Sequence, residues 1–398
     1  MSAILGLRDV ESLAAAARPN DYELLVHDFW KDARMFQSLL TKLQGRRKVV
    51  DPEFTVFEQD MPQRRAFING AVGGGTTTLV IDDGALAVGT AQYFRAGQVL
   101  VLGTDPATGE MLQVVADPTL PNTIEVARAQ FGSVGGAIAD NTAITILHDA
   151  SAEGGGVPTG VTEIPTSRTN YIGIIQTPWQ YTEMMADTAT RYGEREDVRQ
   201  QKLGLWQHSF DIELSLLYGR LGWKVDPATG TRVRTTGGLA YWLTTLGINV
   251  WDGSGANFTP AHWYTTWFGS MTYGSTQVVL MAGSTLLACI HALARATGVQ
   301  MLQPYENKFG FILDRFKVGS KEVLIGEHKL LSRLYPGDGF VVDLPYLKYC
   351  LMKPTTNRPV TVADNVLVKK NTYLTEHGLQ FVNPNAFAYI KGVTTYTP

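Results

Sequence analysis

Hydrophobic positions change their spacing several times along this chain, and each change marks an element. From Leu7 to Arg18 the spacing predicts a short helix closed by Pro19-Asn20-Asp21, and the mixed, aromatic stretch on to Leu43 reads as an arm. Val49, Val50, Phe54, Val56 and Phe57, with polar residues between them, predict an extended strand over 49–61. A matching extended run is Tyr171–Trp179. Two Gly-rich joints, Gly70–Thr78 and Glu153–Gly160, lie between these runs and bound an inserted module. Inside it, Val99–Leu102 and Met111–Val115 flank Asp105-Pro-Ala-Thr-Gly109. There Pro fixes φ and Gly permits φ > 0, so the pattern is a hairpin. Thr123–Arg128 and Ala143–Leu147 also alternate, which makes the module a compact sandwich or small barrel of short strands. The same turn sequence recurs at Asp226–Gly230 with nothing else repeated around it, and reads as a reused turn.

The period then lengthens. Leu203, Trp206, Phe210, Leu214 and Leu217 recur at helical spacing within a helix predicted over Glu194–Tyr218. Glu194, Glu196 and Asp197 suit its N-terminal dipole end, and Gly219 and Gly222 close it. An aromatic section follows from Tyr241 to Tyr273, then a strand over Thr276–Met281 and a helix over Ser284–Thr297, with Gly283-Ser284 as turn and N-cap. The remaining strands fall at Gly339–Asp343, Val366–Lys370, Tyr373-Leu374, Leu379–Phe381 and Ala386–Ile390. Segregated β-rich and helical stretches of this kind predict an α+β fold.

Composition adds that 398 residues suffice for two or three folding units, and that only 18% are charged. The usual share is about 25%, so either β-structure is extensive or surface is hidden against partners. The 34 basic and 37 acidic residues give a net charge of -3 with no polybasic stripe, which argues against a dedicated nucleic-acid groove. Cys289 and Cys350 sit among apolar neighbours, as reduced thiols acting as small hydrophobes do. Gly253–Ala294 lacks any Asp, Glu, Lys or Arg, but Gly274, Ser275, Gln277, Gly283, Ser284 and His291 break it, which argues against a membrane span. The opening run Met1–Arg8 has neither the charge nor the length of a signal peptide.

Candidate chemistry is sparse. Neither a Gly-x-Ser-x-Gly elbow nor a His-Glu-x-x-His helix occurs, and the seven histidines are scattered. Gly73-Gly74-Gly75 is followed by threonines rather than by Gly-Lys-Ser/Thr, so it reads as a hinge and not as a phosphate cradle. The rings between Tyr241 and Tyr273 could form a stacking platform, yet no Arg or Lys lies among them after Asp252, which favours core packing or subunit contact. Asp82-Asp83 and Glu194-x-Glu196-Asp197 suit a turn and a helix start. The expectation is a protein with no catalytic residues, no cofactor and no metal.

In order, the elements are arm, extended strand, Gly-bounded β-insert, returning strand, long helix, mixed section and closing strands. This order resembles the Hong Kong 97-type capsid fold of tailed phages, closest to members with a β-barrel-like insertion in the E-loop. The resemblance rests on Arg95–Leu100, Glu110–Val114, Thr123–Arg128, Phe131-Gly132 and Ala152–Gly154 for the insert, and on Glu196–Gly219 for the spine helix. Asp343, Val366–Lys370, Thr372–Glu376, Asn383 and Ala386–Gly392 look like the family's closing strands.

The resemblance implies an N-terminal arm over 1–48, E-loop strands over 49–69 and 156–182, and an inserted β-domain over 70–155. It implies a P domain over 183–235 and 356–384 and an A domain over 236–355 and 385–398. It further implies a structural subunit that assembles in the bacterial cytoplasm into pentamers and hexamers of an icosahedral head around double-stranded DNA. Scaffolding, portal or decoration proteins are further partners it allows. An extended E-loop cannot bury its own apolar residues, so Phe54, Val56, Phe57, Ile172, Ile174 and Trp179 are the candidate subunit contacts. Some relatives link an E-loop lysine to a neighbour's asparagine. No lysine lies between Lys48 and Lys202, so non-covalent stabilisation is expected. A glycan-binding adhesin or decoration protein and an encapsulin-like compartment shell remain the alternatives.

Overall fold

The computed structural model describes residues 34–44, 46–59, 64–82, 90–120, 122–162, 164–188, 195–253, 257–296, 302–306, 312–318, 321–361 and 367–395. The short helix expected over Leu7–Arg18 lies outside them. The chain forms two compact units, Phe57–Ser167 and the remainder.

In the Phe57–Ser167 unit, two-residue alternation puts one row of side chains inside and the other in water. Its strands run in the spatial order Arg65–Phe67, Ala143–Asp149, Gln98–Leu102, Met111–Val114, Thr123–Ala127, Thr78–Val80. The ends of this row meet through the bridge Ile68–Ile81, where Asn69 N–H donates to Val80 O at 2.9 Å and Asp82 N–H to Phe67 O at 2.7 Å. The sheet therefore closes into a barrel filled by Leu100, Leu112, Ile124, Val126 and Ile144. The expected turn is present: the Asp105 carboxylate accepts from Ala107 N–H at 2.9 Å and from Thr108 Oγ at 2.8 Å. Gly109 is required there, because a Cβ would collide with Leu102 O. Beside it, Glu110 and Arg128 form an ion pair with side chains 8% and 7% exposed, and the same carboxylate accepts from Ala129 N–H. Arg128 also donates to Gly73 O and Gly136 O, pinning two loops with one guanidinium.

In the other unit, a seven-stranded sheet runs in the order Val250–Asp252, Ala388–Lys391, Gly339–Val342, Gln277–Ala282, Lys321–Glu327, Ile312–Val318, Leu302–Glu306. Gln277–Ala282 is central and serves two cores. Val279 and Met281 face one with Phe340 and Phe387, while Val278, Leu280 and Ala282 face the other with Leu286, Ile290 and Leu293 of the helix Ser284–Ala296. The aromatic section holds two helices, Leu239–Leu246 and Pro260–Tyr273, and places Trp242, Phe258 and Trp263 inside these cores. Cys289 and Cys350 are buried free thiols. No helix among the described residues is long and apolar enough to cross a membrane.

A second, four-stranded sheet orders Arg46–Lys48, Leu347–Pro359, Val368–Phe381 and Gly173–Thr182. Val368–Phe381 is one continuous strand where the sequence pattern suggested separate short ones. Gly173–Thr182 pairs with it, and the partner of Glu53–Glu58 is instead Thr166–Tyr171.

The long helix runs Glu196–Tyr218 and packs on this sheet, with Glu196 and Asp197 in its first turn. Its buried stripe differs from the apolar one in the sequence. Gly204, His208, Ile212 and Leu216 face inward, at the i, i+4 spacing of one helix side. Leu203 is exposed, and Trp206, Phe210 and Leu214 are half-buried. Close packing selects the small residue: a Cβ on Gly204 would approach Trp179 Cβ to 3.1 Å.

The same helix holds the first of the described segments, Met35–Leu39. Glu213 is wholly buried, and its Oε1 accepts from Phe36 N–H at 2.7 Å and from His328 Nε2 at 2.8 Å, while Oε2 accepts from Gln37 N–H at 2.8 Å. His328 in turn accepts at Nδ1 from Leu331 N–H, capping the helix Lys329–Leu334. The tautomer follows, with the proton on Nε2. Breaking such a group costs about 3–5 kcal/mol because its partners stay buried and unpaired. Glu213→Ala is expected to lower stability by about that amount in urea unfolding, with Gln a milder replacement since it restores only part of the acceptor set.

Candidate assembly surfaces

No group of His, Cys, Asp or Glu among the described residues could hold a metal ion. What the fold does leave in view is uncovered sheet. On the four-stranded sheet, odd-numbered residues of Gly173–Thr182 and Val368–Phe381 face the long helix, as the bonds of Thr177, Thr375 and His377 to that helix show. Even-numbered residues therefore face away, and Ile174, Gln176, Pro178, Gln180 and Thr182 are all exposed.

Register brings separated cations to that outward face. Arg47 lies opposite Cys350 and donates to Gln380 Oε1 at 2.5 Å. Lys348 pairs across from Gln380, Lys353 from Glu376, Arg358 from Thr372, and Lys370 from Gln180. Arg47, Lys348 and Arg358 are exposed, and Lys353 and Lys370 are half-buried. Among the described residues of these strands the face carries five cations and one carboxylate, Glu376, around a stretch at Cys350 and Gly378 that Phe54 and Ile172 cover. The sequence shows no basic stripe because these residues are far apart in the chain; only the strand pairing assembles them.

A second basic surface is the hairpin Gly222–Val225 with Arg232–Thr235, turned by Asp226-Pro-Ala-Thr-Gly230. Trp223 lies opposite Arg234 and Val225 opposite Arg232, so one face carries two apolar residues and two guanidiniums. The Arg232 guanidinium sits 4.6 Å from the Trp223 ring centre. Trp223 is 51% exposed and Val225 53%, in a two-stranded element that buries little by itself. The sequence contained its signal, a strong turn between Trp-Lys-Val and Arg-Val-Arg.

The ribbon of Glu53–Glu58 and Thr166–Tyr171 has the opposite sign. Asp51 just before it and Glu53 at its start are exposed, Glu58 is half-buried, Arg168 is a cation on it, and Thr55 Oγ1 and Thr169 Oγ1 lie 2.9 Å apart. The residues singled out as contacts divide here. Phe54 and Ile172 come together in a small buried cluster with Val49 and Cys350. Val56 is half-buried. Phe57, at 71% exposed, and Ile174, at 61%, point into water. Trp179 is apart from all of these, packed against Gly204 and stacked near Tyr181 and Tyr373 at ring distances of 5.9 and 6.5 Å.

The sequence matches the family model described as SU10 major capsid protein over residues 24–394. No curated protein matches it. Among solved structures, a structure of Mycobacterium phage Bobi aligns at a TM-score of 0.45 and 8% identity, covering 97% of this chain and 98% of that one. The capsid of Myoviridae phage XM1 aligns at 0.40 and 13% identity, covering 96% and 98%. An encapsulin complex of Synechococcus elongatus aligns at 0.41 and 10% identity, covering 60% and 79%.

Burial separates packing residues from surface ones in a way mutation can read. Trp179→Ala is expected to lower unfolding stability by about 3–5 kcal/mol, as for a large buried aromatic. Phe57→Asp and Ile174→Asp should each change it by less than about 0.5 kcal/mol, measured by denaturant titration of the isolated subunit.

Proposed function

The chain belongs to the SU10 major capsid protein family, a structural component of the virion, and on that premise we propose that it closes an icosahedral phage head by a Hong Kong 97-type exchange of uncovered surfaces between copies. The observation that carries this reading is the pair of oppositely charged surfaces on one chain, each with exposed residues. The acidic ribbon carries exposed Phe57 next to its last residue, Glu58, and the outward sheet face bears Arg47, Lys348, Lys353, Arg358 and Lys370. Complementary patches at different places on identical subunits join head to tail, and such contacts generate rings when the rotation closes. Rings of five and six are the units an icosahedral head requires.

In this reading the Phe57–Ser167 unit is the insertion in the E-loop, the helix Glu196–Tyr218 is the spine, and Phe57 and Ile174 are the contacts that a neighbour covers. Phe54, Ile172 and Trp179 act indirectly by holding the ribbon and strand in place. The role is structural, without catalysis and without a cofactor. Assembly takes place in the host cytoplasm around or ahead of double-stranded DNA, with scaffolding, portal or decoration proteins as further partners. The net charge of -3 fits packaged DNA that lies nearby without a dedicated groove.

Two outcomes test it. Phe57→Asp should give a soluble, folded subunit that forms no closed shells by negative-stain electron microscopy; normal particles from this variant would remove the ribbon from the interface. Since no lysine lies between Lys48 and Lys202, boiled particles should run as a single monomer band on a denaturing gel, and a ladder of covalent oligomers would contradict non-covalent closure.

A further inference from the structure

Between the long helix and the four-stranded sheet, two imidazoles and a row of hydroxyls are shut away from water. His208 on the helix and His377 on Val368–Phe381 are both 0% exposed. His208 Nδ1 lies 2.9 Å from Thr177 Oγ1, and its Nε2 lies 2.6 Å from Thr375 Oγ1. Thr177 donates onward to Asp211 Oδ2 at 3.3 Å, and Thr375 shares a proton with Thr355 Oγ1 at 2.8 Å. Ser215 Oγ donates to Ile212 O at 2.8 Å, so toward His377 Nε2, 3.2 Å away, it accepts. That bond puts the neutral ring's proton on Nε2. His377 Nδ1 is buried and has no hydrogen-bond partner among the described residues.

The two rings meet an added proton differently. Each nitrogen of His208 faces a hydroxyl that can turn to accept, and Thr177 can still donate to Asp211. A second proton on His377 has no acceptor, and a charge there would be buried beside another imidazole. Burial holds both rings below the ordinary imidazole range, and His377, with His208 adding to the effect, is held down to about 3.

Other groups around the pair do not offset this. The helix contributes Asp211, whose carboxyl is itself pushed up by burial and drawn partly back by Thr177. Val368–Phe381 contributes Tyr373, its ring 6.0 Å from His208, and Leu347–Pro359 contributes Tyr349, 5.8 Å from His377. Gly173–Thr182 supplies the Thr177 hydroxyl and no carboxylate or cation. Glu213, further along the helix, is engaged with Phe36, Gln37 and His328.

The geometry points to a proton-operated latch: two neutral imidazoles hold the helix Glu196–Tyr218 on the sheet, and mild acid, by protonating them, loosens that helix from Val368–Phe381 and Gly173–Thr182. The sign follows from linkage. An unfolded histidine titrates near about 6.5, and in the fold both lie lower, so between there and about 3 the unfolded chain binds more protons. Stability held by this pair is fully present above the ordinary histidine range and is lost as pH falls. Each histidine shifts the opening equilibrium by up to about tenfold per pH unit across its window.

Hydrogen–deuterium exchange on the full-length subunit in solution, at about pH 7 and about pH 5 and corrected for the intrinsic rate, reads the latch without any shell. The expected result is a loss of protection of about tenfold or more, confined to the middle of the helix and to the strand around His377, with the barrel strand Gln98–Leu102 unchanged. His377→Gln, which can still donate to Ser215 but cannot titrate, should lose less protection than the wild type at about pH 5, the remaining loss being that of His208. An acid loss equal in this variant and the wild type would overturn the latch. So would a loss in the wild type spread evenly over barrel and helix, and that comparison decides the matter even where the variant does not fold. Shell formation enters neither arm, so failure of the latch and failure of the capsid reading are separate results.

Discussion

A carboxylate sealed from water must have its oxygens answered by fixed donors, and Glu213 answers this constraint with three elements at once. Backbone N–H groups of Phe36 and Gln37 and the Nε2 of His328 converge on it. The groups it engages belong to the short helix Met35–Leu39 and to the cap of the helix Lys329–Leu334, while the carboxylate itself rides on the long helix. Hydrophobic contact is tolerant of small rotations, whereas three directed bonds to one charge are not. The core around Phe36, Leu39, Ile212, Leu216 and Phe340 can therefore pack in one arrangement only, that in which these donors reach the acid.

The same logic recurs at smaller scale. Glu110 and Arg128 fix the loops at Gly73 and Gly136 in the barrel. Asp338 collects the hydroxyls of Tyr218 and Tyr389, at 2.9 and 2.8 Å, and the Gly392 amide. Between these anchors the chain is ordinary alternating β-structure, and Gln277–Ala282 shows how far alternation can be used, since its two faces feed two separate cores.

How much of this was legible in the sequence follows from what each period encodes. The hairpin at Asp105–Gly109, the helix over Glu196–Tyr218 and the strands inside the barrel were readable because turn chemistry and alternation are local. The inward stripe of the helix was not, because its key members are Gly204, His208 and Glu213, which no hydrophobic count selects. Their burial depends on partners more than a hundred residues away: Thr375 for His208 and His328 for Glu213. The basic sheet face was hidden for the same reason. Arg47, Lys348, Lys353, Arg358 and Lys370 become neighbours only through register. Among the candidate contacts on the expected E-loop strands, Phe54, Ile172 and Trp179 are packed within the chain, since hydrophobicity alone does not say which neighbour satisfies it.

The closed barrel has a consequence for crowding. A shell brings many copies of one sequence to a local concentration at which any free strand edge becomes a template for the next copy's strands. Because Ile68 and Ile81 join the first and last strands, the Phe57–Ser167 unit offers no such template at that seam. At that seam neighbours can meet it through side chains, which limits those encounters to contacts that shape and charge select and removes one seed of backbone-driven runaway pairing.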